Sequence, residues 1–121
     1  MKLTQVIKRD GSTQPFDRQR IENAVFAAAR AVNADLGRSW AEMISYSVLG
    51  LLTQRCDEQG IDPPSVEQIQ DAVEETLTKA DHYKIAKAYI LYRQQRQEAR
   101  VAQRMMLDGE KLIEDYLQLT D

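Results

Sequence analysis

An Asp-Gly pair at positions 10 and 11 lies between two short extended runs, and no other local feature constrains the fold as strongly. Residues 3–7 are rich in strand-forming side chains, and residues 12–16 return on the other side of the pair. Such a pair is typical of a two-residue type I′ turn, in which both central residues have positive φ. Pro15 has no amide hydrogen to donate, so the second strand is predicted to be an edge strand or to end there. The segment therefore predicts a β-hairpin.

The remainder of the chain has the periodicity of amphipathic helices. Asp17 is predicted to cap the first helix, and capping boxes at residues 39–42 and 65–68 are predicted to open the second and third. Gly60 is predicted to end the second helix. Apolar residues at i, i+3 and i+4 spacing mark the positions predicted to be buried. They are Ile21, Ala24, Val25, Ala28, Ala29, Val32, Trp40, Met43, Ile44, Val48, Leu51, Leu52, Cys56, Val66, Ile69, Val73, Leu77, Ala80, Ile85, Ala86, Tyr89 and Ile90.

A fourth helix is predicted from about residue 83 to residue 104, and its polar half is predicted to project beyond the core. A last amphipathic segment follows, with apolar residues at Leu112, Ile113, Tyr116 and Leu117. The predicted fold class is α+β and mostly α: an N-terminal β-hairpin packed on a bundle of about four helices, plus a C-terminal linker helix. The predicted boundaries are residues 1–97 for the hairpin and bundle and residues 98–121 for the helical linker.

The residue types that most often carry catalysis are scarce. The chain has one cysteine, Cys56, and one histidine, His82, which excludes an internal disulfide and a cysteine-rich zinc site. No GxxxxGK[ST] loop, GxGxxG motif or nucleophile motif occurs, so we predict no catalytic residue and no metal site. No apolar run approaches the ~18 residues of a membrane span, and the N-terminus lacks the apolar stretch of a signal peptide. We expect a cytoplasmic binding domain with no membrane partner.

The formal net charge of −3 conceals alternating blocks of charge. Residues 1–20 carry five bases and two acids, residues 57–81 carry one base and eight acids, and residues 84–104 carry six bases and one acid. Basic segments within an acidic protein favour a local anion site over a general nucleic-acid surface. On charge alone, solvated hairpin and helix faces explain the pattern equally well.

Three cations are predicted to converge near the start of the first helix. Lys8 and Arg9 lie at the predicted hairpin tip, and Arg20 lies in the first turn of that helix. Free N–H groups and the positive end of the helix dipole also favour an anion there. Lysine supplies a compact charge and arginine a bidentate contact to phosphate oxygens, so the cluster suits a triphosphate. A polar turn followed by a solvated helix end is the alternative interpretation of these residues alone.

Three ordered blocks of the sequence resemble the ATP-cone, a nucleotide-binding regulatory domain of ribonucleotide reductases. The first is VIKRDG at residues 6–11 with PFD at 15–17 and RIENA at 20–24, similar to the family's V-x-K-R-D-G hairpin followed by F-[DN]-x-x-[KR]-I. The second is VEQIQDAVE at residues 66–74, and the third is AKAYILYR at residues 86–93. The blocks stand in the family's order, which is a far more specific signal than the hairpin motif alone.

The resemblance implies a nucleotide site between the hairpin and the bundle. Val6 and Ile21 would flank the adenine, while Gln14 and Asp17 would hydrogen-bond it. Some relatives carry Glu where this chain has Gln14, and an amide can donate as well as accept, so base selectivity is expected to differ slightly. The site residues that the resemblance implies are Val6, Lys8, Arg9, Gln14, Phe16, Asp17, Arg20, Ile21, Gln70, Lys87, Tyr92 and Arg93.

Within that site the resemblance assigns the phosphates to Lys8, Arg9 and Arg20, with Lys87 approaching from the far side. Gln70 occupies a helix position that lies close to the nucleotide in relatives. Tyr92 suits stacking on a second base, and Arg93 with Arg96 suits a second triphosphate. The number of nucleotides bound, one or two, stays open.

The implied function is allosteric sensing of ATP against dATP, with Mg²⁺ as an accompanying cation. The implied partners are adenine nucleotides, the catalytic domain of a parent reductase and further copies of the cone, without a nucleic acid. The segment at residues 106–117 resembles the linker helix of anaerobic reductases, so we expect an excised N-terminal domain, with a free-standing cone as the alternative. Two alternatives stay open: the cone of a DNA-binding transcriptional repressor, which needs four zinc-ligating cysteines upstream, and a helical protein-interaction domain.

Overall fold

The computed structural model describes the backbone of residues 2–120 and the side chains of residues 2–103. Two antiparallel strands precede four helices, so the predicted hairpin and mostly helical fold is confirmed for this part of the chain. Met1–Ile90 forms one compact unit and Leu91–Asp121 forms a second. The elements are β1 (Gln5–Ile7), β2 (Thr13–Pro15), α1 (Arg18–Ala31), α2 (Arg38–Gln59), α3 (Val66–Lys79) and α4 (Tyr83–Thr120).

The turn of the hairpin differs from the predicted type I′ turn. Lys8 C=O accepts from Gly11 N–H at 2.9 Å, and Lys8 N–H donates to Ser12 C=O at 2.7 Å. Within the turn only Gly11 has positive φ, at 88°. This is the geometry of a longer loop, a type I turn followed by a left-handed glycine. Asp10 keeps an ordinary backbone because its carboxylate instead accepts from Ser12 N and Oγ at 2.9 and 2.6 Å.

The hairpin is attached to the segment that precedes α3. Ile7 N–H donates to Pro64 C=O at 2.9 Å, and Ile7 forms a parallel bridge with Ser65. Strands of three residues are marginal on their own, so this contact stabilises the hairpin. The second strand ends at Pro15 as predicted.

Three of the four predicted helix boundaries are confirmed. Asp17 caps α1 by accepting from Gln19 N–H at 3.0 Å. Gly60 ends α2 with φ of 66°, in the left-handed region. Ser65 and Gln68 form the predicted capping box at α3. These caps depend on residues within one turn of each other, which is why the sequence alone predicts them.

The predicted capping box at residues 39–42 is wrong. α2 begins two residues earlier than that box requires, at Arg38, and its N-cap Gly37 makes no side-chain capping bond. Ser39 therefore lies inside the first turn. The earlier start accompanies a tertiary contact, because the Arg38 guanidinium donates to Asn23 Oδ1 on α1 at 2.6 Å.

The core of the first unit lies between the helices, with Leu3, Ala41 and Ala72 as buried members that were not predicted. Burial raises the pKa of the Cys56 thiol, as expected for an inert core cysteine. The predicted positions that are buried are Ile21, Val25, Ala28, Ala29, Ile44, Val48, Leu52, Cys56, Val73, Leu77, Ile85, Ala86 and Tyr89. Those that are partly buried against them include Ala24, Val32, Trp40, Leu51 and Ile69.

Three residues that were predicted to be buried are exposed. Met43 is 57% exposed and lies one turn before the exposed Tyr46, on the outer face of α2. Ala80 is the C-cap of α3 and lies beyond its last buried turn. Ile90 is 38% exposed and follows the buried Tyr89. Consecutive residues of a helix lie about 100° apart around its axis, so Ile90 lies away from the buried face.

The predicted linker helix is not separate from the fourth helix, because α4 continues to Thr120. The described side chains of residues 94–103 are all exposed, in agreement with the predicted polar half. His82 precedes α4, and its ring meets Trp40 edge-on at 5.1 Å between centroids. The apolar positions Leu112, Ile113, Tyr116 and Leu117 lie outside the described side chains.

A buried ionic network joins α1 to α2, and the sequence analysis missed it. Glu22 is 6% exposed, and its carboxylate accepts from Arg18 Nη1 at 2.9 Å and from Gln19 Nε2 at 2.6 Å. Arg38 Nη1 completes the pairing at 3.3 Å. The hydrogen bond from Arg18 lowers the pKa of Glu22, although desolvation acts in the opposite direction. Glu22 is therefore held as an anion inside the fold.

This network is expected to make the folded state sensitive to acid. A carboxyl group whose pKa is lowered by folding stabilises the native state above its unfolded pKa of about 4.3, and that contribution is lost as pH falls through the folded value. Glu22→Gln should lower the melting temperature at pH 7 by several degrees and flatten its dependence on pH below about 4.5. Melting curves recorded by circular dichroism from pH 3 to pH 7 measure both effects.

Glu58→Gln is the matched control, because Glu58 is exposed and accepts only from Gln54 at 3.0 Å among its described contacts. It should melt close to the unsubstituted chain. Parallel pH profiles for Glu22→Gln and the unsubstituted chain would contradict the assigned role of Glu22.

Candidate functional site

The hairpin turn and the first turn of α1 carry the three predicted phosphate-binding cations. Lys8, Arg9 and Arg20 are all exposed. Arg20 N–H donates to Asp17 C=O at 3.2 Å, which places the Arg20 side chain in the first turn of α1. Among the described residues, no hydrogen bond or ion pair engages the Arg20 side chain, so its donors are free for a ligand.

Arg9 is the exception, because its guanidinium contacts α3. Its Nη1 lies 2.9 Å from Glu67 Oε1. Its Nη2 donates to Gln70 Oε1 across a longer 3.5 Å. The structure therefore brings together Arg9 and Gln70, two residues that the sequence analysis placed in one site from separate blocks.

Two predicted site residues face each other across the hairpin. Val6 pairs with Gln14 in register, so their side chains lie on one face of the two-stranded sheet. Gln14 is half-buried, whereas Val6 is 4% exposed and Ile21 is 6% exposed. The two apolar residues predicted to flank an adenine are thus almost covered, and a base has direct access mainly to the polar Gln14.

Residues 16 and 17 connect the hairpin to α1. Phe16 is half-buried and packs against the core. Asp17 is exposed, and its Oδ1 is occupied by the helix cap. No described residue engages its other carboxylate oxygen, which leaves one acceptor for a ligand.

The remaining predicted residues lie on α4. Lys87 is exposed, and no described residue forms an ion pair with it. Tyr92 and Arg93 belong to the second unit, where Tyr92 is 43% exposed and Arg93 is half-buried. In that unit the Arg96 guanidinium lies 5.9 Å from the centre of the Tyr92 ring.

The acids beside the hairpin tip are also held in place. Hydrogen bonds from Ser12 lower the pKa of Asp10, with a smaller contribution from the charge of Lys8. Glu67 lies in the first turn of α3, where the helix dipole favours a negative charge. Sequence reasoning read Glu67 only as part of a motif, and nothing in the sequence joins it to a residue 58 positions earlier.

A cavity of about 410 Å³ lies between the end of α1 and the start of α2. None of the predicted nucleotide residues is among its described lining residues, which are Phe26, Arg30, Asn33, Ala34, Asp35, Leu36, Gly37 and Arg38. The cations of the hairpin turn and of the first turn of α1 are therefore separate from this cavity.

Among the described residues, no group of three or more His, Cys, Asp and Glu side chains has a geometry that would hold a metal ion. None of the helices in the described part has the length and apolar character needed to cross a membrane.

Comparison with known proteins connects this geometry to a family. The family model of the ATP cone domain matches residues 4–98. The chain belongs to the ATP-cone family. The match includes the hairpin, the first three helices and the part of α4 that carries Lys87.

Relatives of this ATP-cone include reductases of three kinds. It is 38% identical over 99 residues to the ribonucleoside-diphosphate reductase subunit alpha of Treponema pallidum, covering 80% of this chain and 12% of that protein. It is 40% identical over 104 residues to the vitamin B12-dependent ribonucleoside-diphosphate reductase of Mycobacterium tuberculosis, covering 84% and 13%. It is 42% identical over 96 residues to the anaerobic ribonucleoside-triphosphate reductase of Haemophilus influenzae, covering 78% and 13%.

The chain thus matches only 12–13% of the length of these three relatives. The ATP-cone is a nucleotide-binding regulatory domain of ribonucleotide reductases. The membership of this chain in that family confirms the resemblance found in the sequence. Anaerobic reductases are among the relatives, as that resemblance implied.

Proposed function

We propose that this chain is an allosteric sensor that binds ATP or dATP and controls the overall activity of a ribonucleotide reductase. The observation that carries the proposal is a set of three exposed cations on the hairpin turn and the first turn of α1. They are Lys8, Arg9 and Arg20, in a chain that belongs to a nucleotide-binding family. Residues 1–97 are proposed as the sensor and residues 98–121 as the helical linker.

The triphosphate is proposed to lie across the hairpin turn and the start of α1. Lys8 and Arg20 offer exposed cationic donors without any rearrangement. Arg9 adds a planar pair of donors, which suits two phosphate oxygens at once. Mg²⁺ would accompany the phosphates and neutralise part of their charge.

The adenine is proposed to lie beside Gln14 and Asp17. The half-buried amide of Gln14 accepts from and donates to a base edge, and the second carboxylate oxygen of Asp17 accepts from an amino group. Val6, Phe16 and Ile21 supply the apolar surroundings. Because Val6 and Ile21 are almost covered, seating the base between them requires the hairpin to shift relative to α1.

Three residues of α4 extend the proposed site. Lys87 is exposed and supplies a further cation toward the phosphates from the opposite side. Tyr92 exposes enough of its ring to stack on a second base, and Arg93 would serve a second triphosphate. This part of the proposal allows a cone with one or two nucleotides.

The proposed mechanism is a difference in affinity between two states of the parent reductase. A ligand shifts such an equilibrium only as far as it binds one state more tightly than the other. We propose that dATP favours an inhibited assembly and ATP an active one, through self-association of cones and contacts with the catalytic domain. Catalysis then lies outside these residues, and the chain itself is regulatory.

Isothermal titration calorimetry with ATP, dATP and GTP tests the proposal. We expect ATP and dATP to bind with dissociation constants on the order of micromolar. GTP should bind at least about tenfold more weakly, because Gln14 and Asp17 are proposed to form hydrogen bonds with adenine. Absence of adenine-selective binding would refute the proposal. Binding of DNA that weakens steeply with salt, with no response to ATP, would favour a nucleic-acid module.

A further inference from the structure

The side chain of Arg9 has two partners on α3 before any ligand arrives. Nη1 forms an ion pair with Glu67 at 2.9 Å, and Nη2 donates to Gln70 at 3.5 Å. Arg9 is only 29% exposed in its side chain, whereas Glu67 is 58% exposed. The Arg9 side chain is therefore the more covered partner, and solvent reaches more of Glu67.

A phosphate group and the Glu67 carboxylate compete for the same donors of this guanidinium. A tetrahedral phosphate offers pairs of oxygens that match the two Nη donors, of which Nη1 holds Glu67 and Nη2 contacts Gln70. The two anions also repel each other. A triphosphate that takes both Nη donors therefore displaces Glu67 from Arg9.

We propose that Glu67 is an intramolecular competitor of the triphosphate, and that nucleotide binding releases the hairpin tip from α3 by taking Arg9 away from Glu67. The inference rests on the proposed function and adds a regulatory residue to the same site. The released carboxylate stays favourable where it is, because it lies in the first turn of α3 at the positive end of the helix dipole. The contact therefore separates without leaving a buried unpaired charge.

The exchange acts on the turn of the hairpin and leaves β1 attached. The last residue of β1, next to this turn, stays bound to the chain before α3 through Ile7 N–H and Pro64 C=O at 2.9 Å. Loss of the Arg9–Glu67 pair thus frees the turn beyond Ile7 while β1 keeps its anchor.

Glu67→Gln tests the inference by removing the competing charge while keeping the side-chain shape. Exposed ion pairs are weak, so we expect ATP to bind the full chain about two- to fivefold more tightly in calorimetry. Glu58→Gln removes the same charge from an exposed glutamate at the end of α2 and should leave affinity within error. Unchanged or weaker ATP binding by Glu67→Gln overturns the inference.

A double-mutant cycle separates competition from general repulsion between Glu67 and the phosphates. In an Arg9→Ala chain, titrated with millimolar ATP, Glu67→Gln should give no gain, because there is no guanidinium to release. A full gain in that background assigns the effect to general repulsion and overturns the inference. If the chain binds ATP and Glu67→Gln does not change the affinity, the inference is wrong but the proposed function stands. If the chain does not bind ATP at all, the proposed function is wrong.

Discussion

Replacing both Lys8 and Arg9 by alanine is expected to weaken ATP binding by about a hundredfold or more, and in calorimetry at micromolar protein the heat should vanish. Hydrogen bonds to charged groups contribute about 1.5–3 kcal/mol each, and this pair supplies several of them to one triphosphate. The fold should persist, because Lys8 is exposed, Arg9 contacts only the surface residues Glu67 and Gln70 among its described partners, and the hairpin is held by backbone contacts. Circular dichroism checks the fold, and titration with ATP checks the affinity.

Arg30→Ala combined with Arg100→Ala is the control, since it also removes two exposed positive charges. Arg30 lies in the last turn of α1, about 15 Å along the helix from Arg20. This control should lose little affinity. An unchanged isotherm for the Lys8 and Arg9 variant would show that the phosphates bind elsewhere, and equal losses in both variants would show a non-specific effect of charge.

The largest expected effect on stability comes from Leu77→Ala. Leu77 is 0% exposed and among the largest fully buried side chains. Deleting three side-chain carbons there removes apolar burial and leaves a cavity, which together destabilise by about 3 kcal/mol. That is a large part of the ~5–15 kcal/mol that stabilises a domain of this kind. Urea denaturation followed by circular dichroism should show the loss as a lower midpoint with an unchanged slope.

Met43→Ala is the matched control for this prediction. Met43 is 57% exposed on α2, so its truncation should change stability by no more than about 0.5 kcal/mol. A loss at position 43 as large as that at position 77 would contradict the assignment of the core. ATP should still bind both variants under native conditions, because neither residue belongs to the proposed site.

The parts of the fold that the sequence predicted correctly depend mostly on residues close together in the chain. The hairpin, the Asp17 cap and the Ser65 capping box each depend on residues within a few positions of one another. The box at residues 39–42 failed because a tertiary contact of Arg38 accompanies the earlier helix start. Met43 fits a helical stripe, but a stripe alone does not say which side of a 22-residue helix has a neighbour.

Pairings between distant segments account for what the sequence did not predict. Glu22 looks like an exposed charge in a helix, and only the fold brings Arg38 beside it. In the same way, the cations at the hairpin tip were visible as a cluster, but the attachment of Arg9 to Glu67 depends on how the hairpin lies on α3. The family blocks placed Arg9 and Gln70 in one site without indicating that they touch.

The hydrogen bond from Ile7 to Pro64 means that the hairpin does not unfold by itself. Its strands have three residues each, and the amide of Ile7 is bonded outside the hairpin. Exchange of that amide hydrogen with solvent requires the loop before α3 to separate from β1, so the two segments open as one cooperative unit. Any ligand that holds the hairpin therefore also slows the opening of the loop before α3. The exchange rate of the Ile7 amide hydrogen alone then reports how much of the chain has ligand bound.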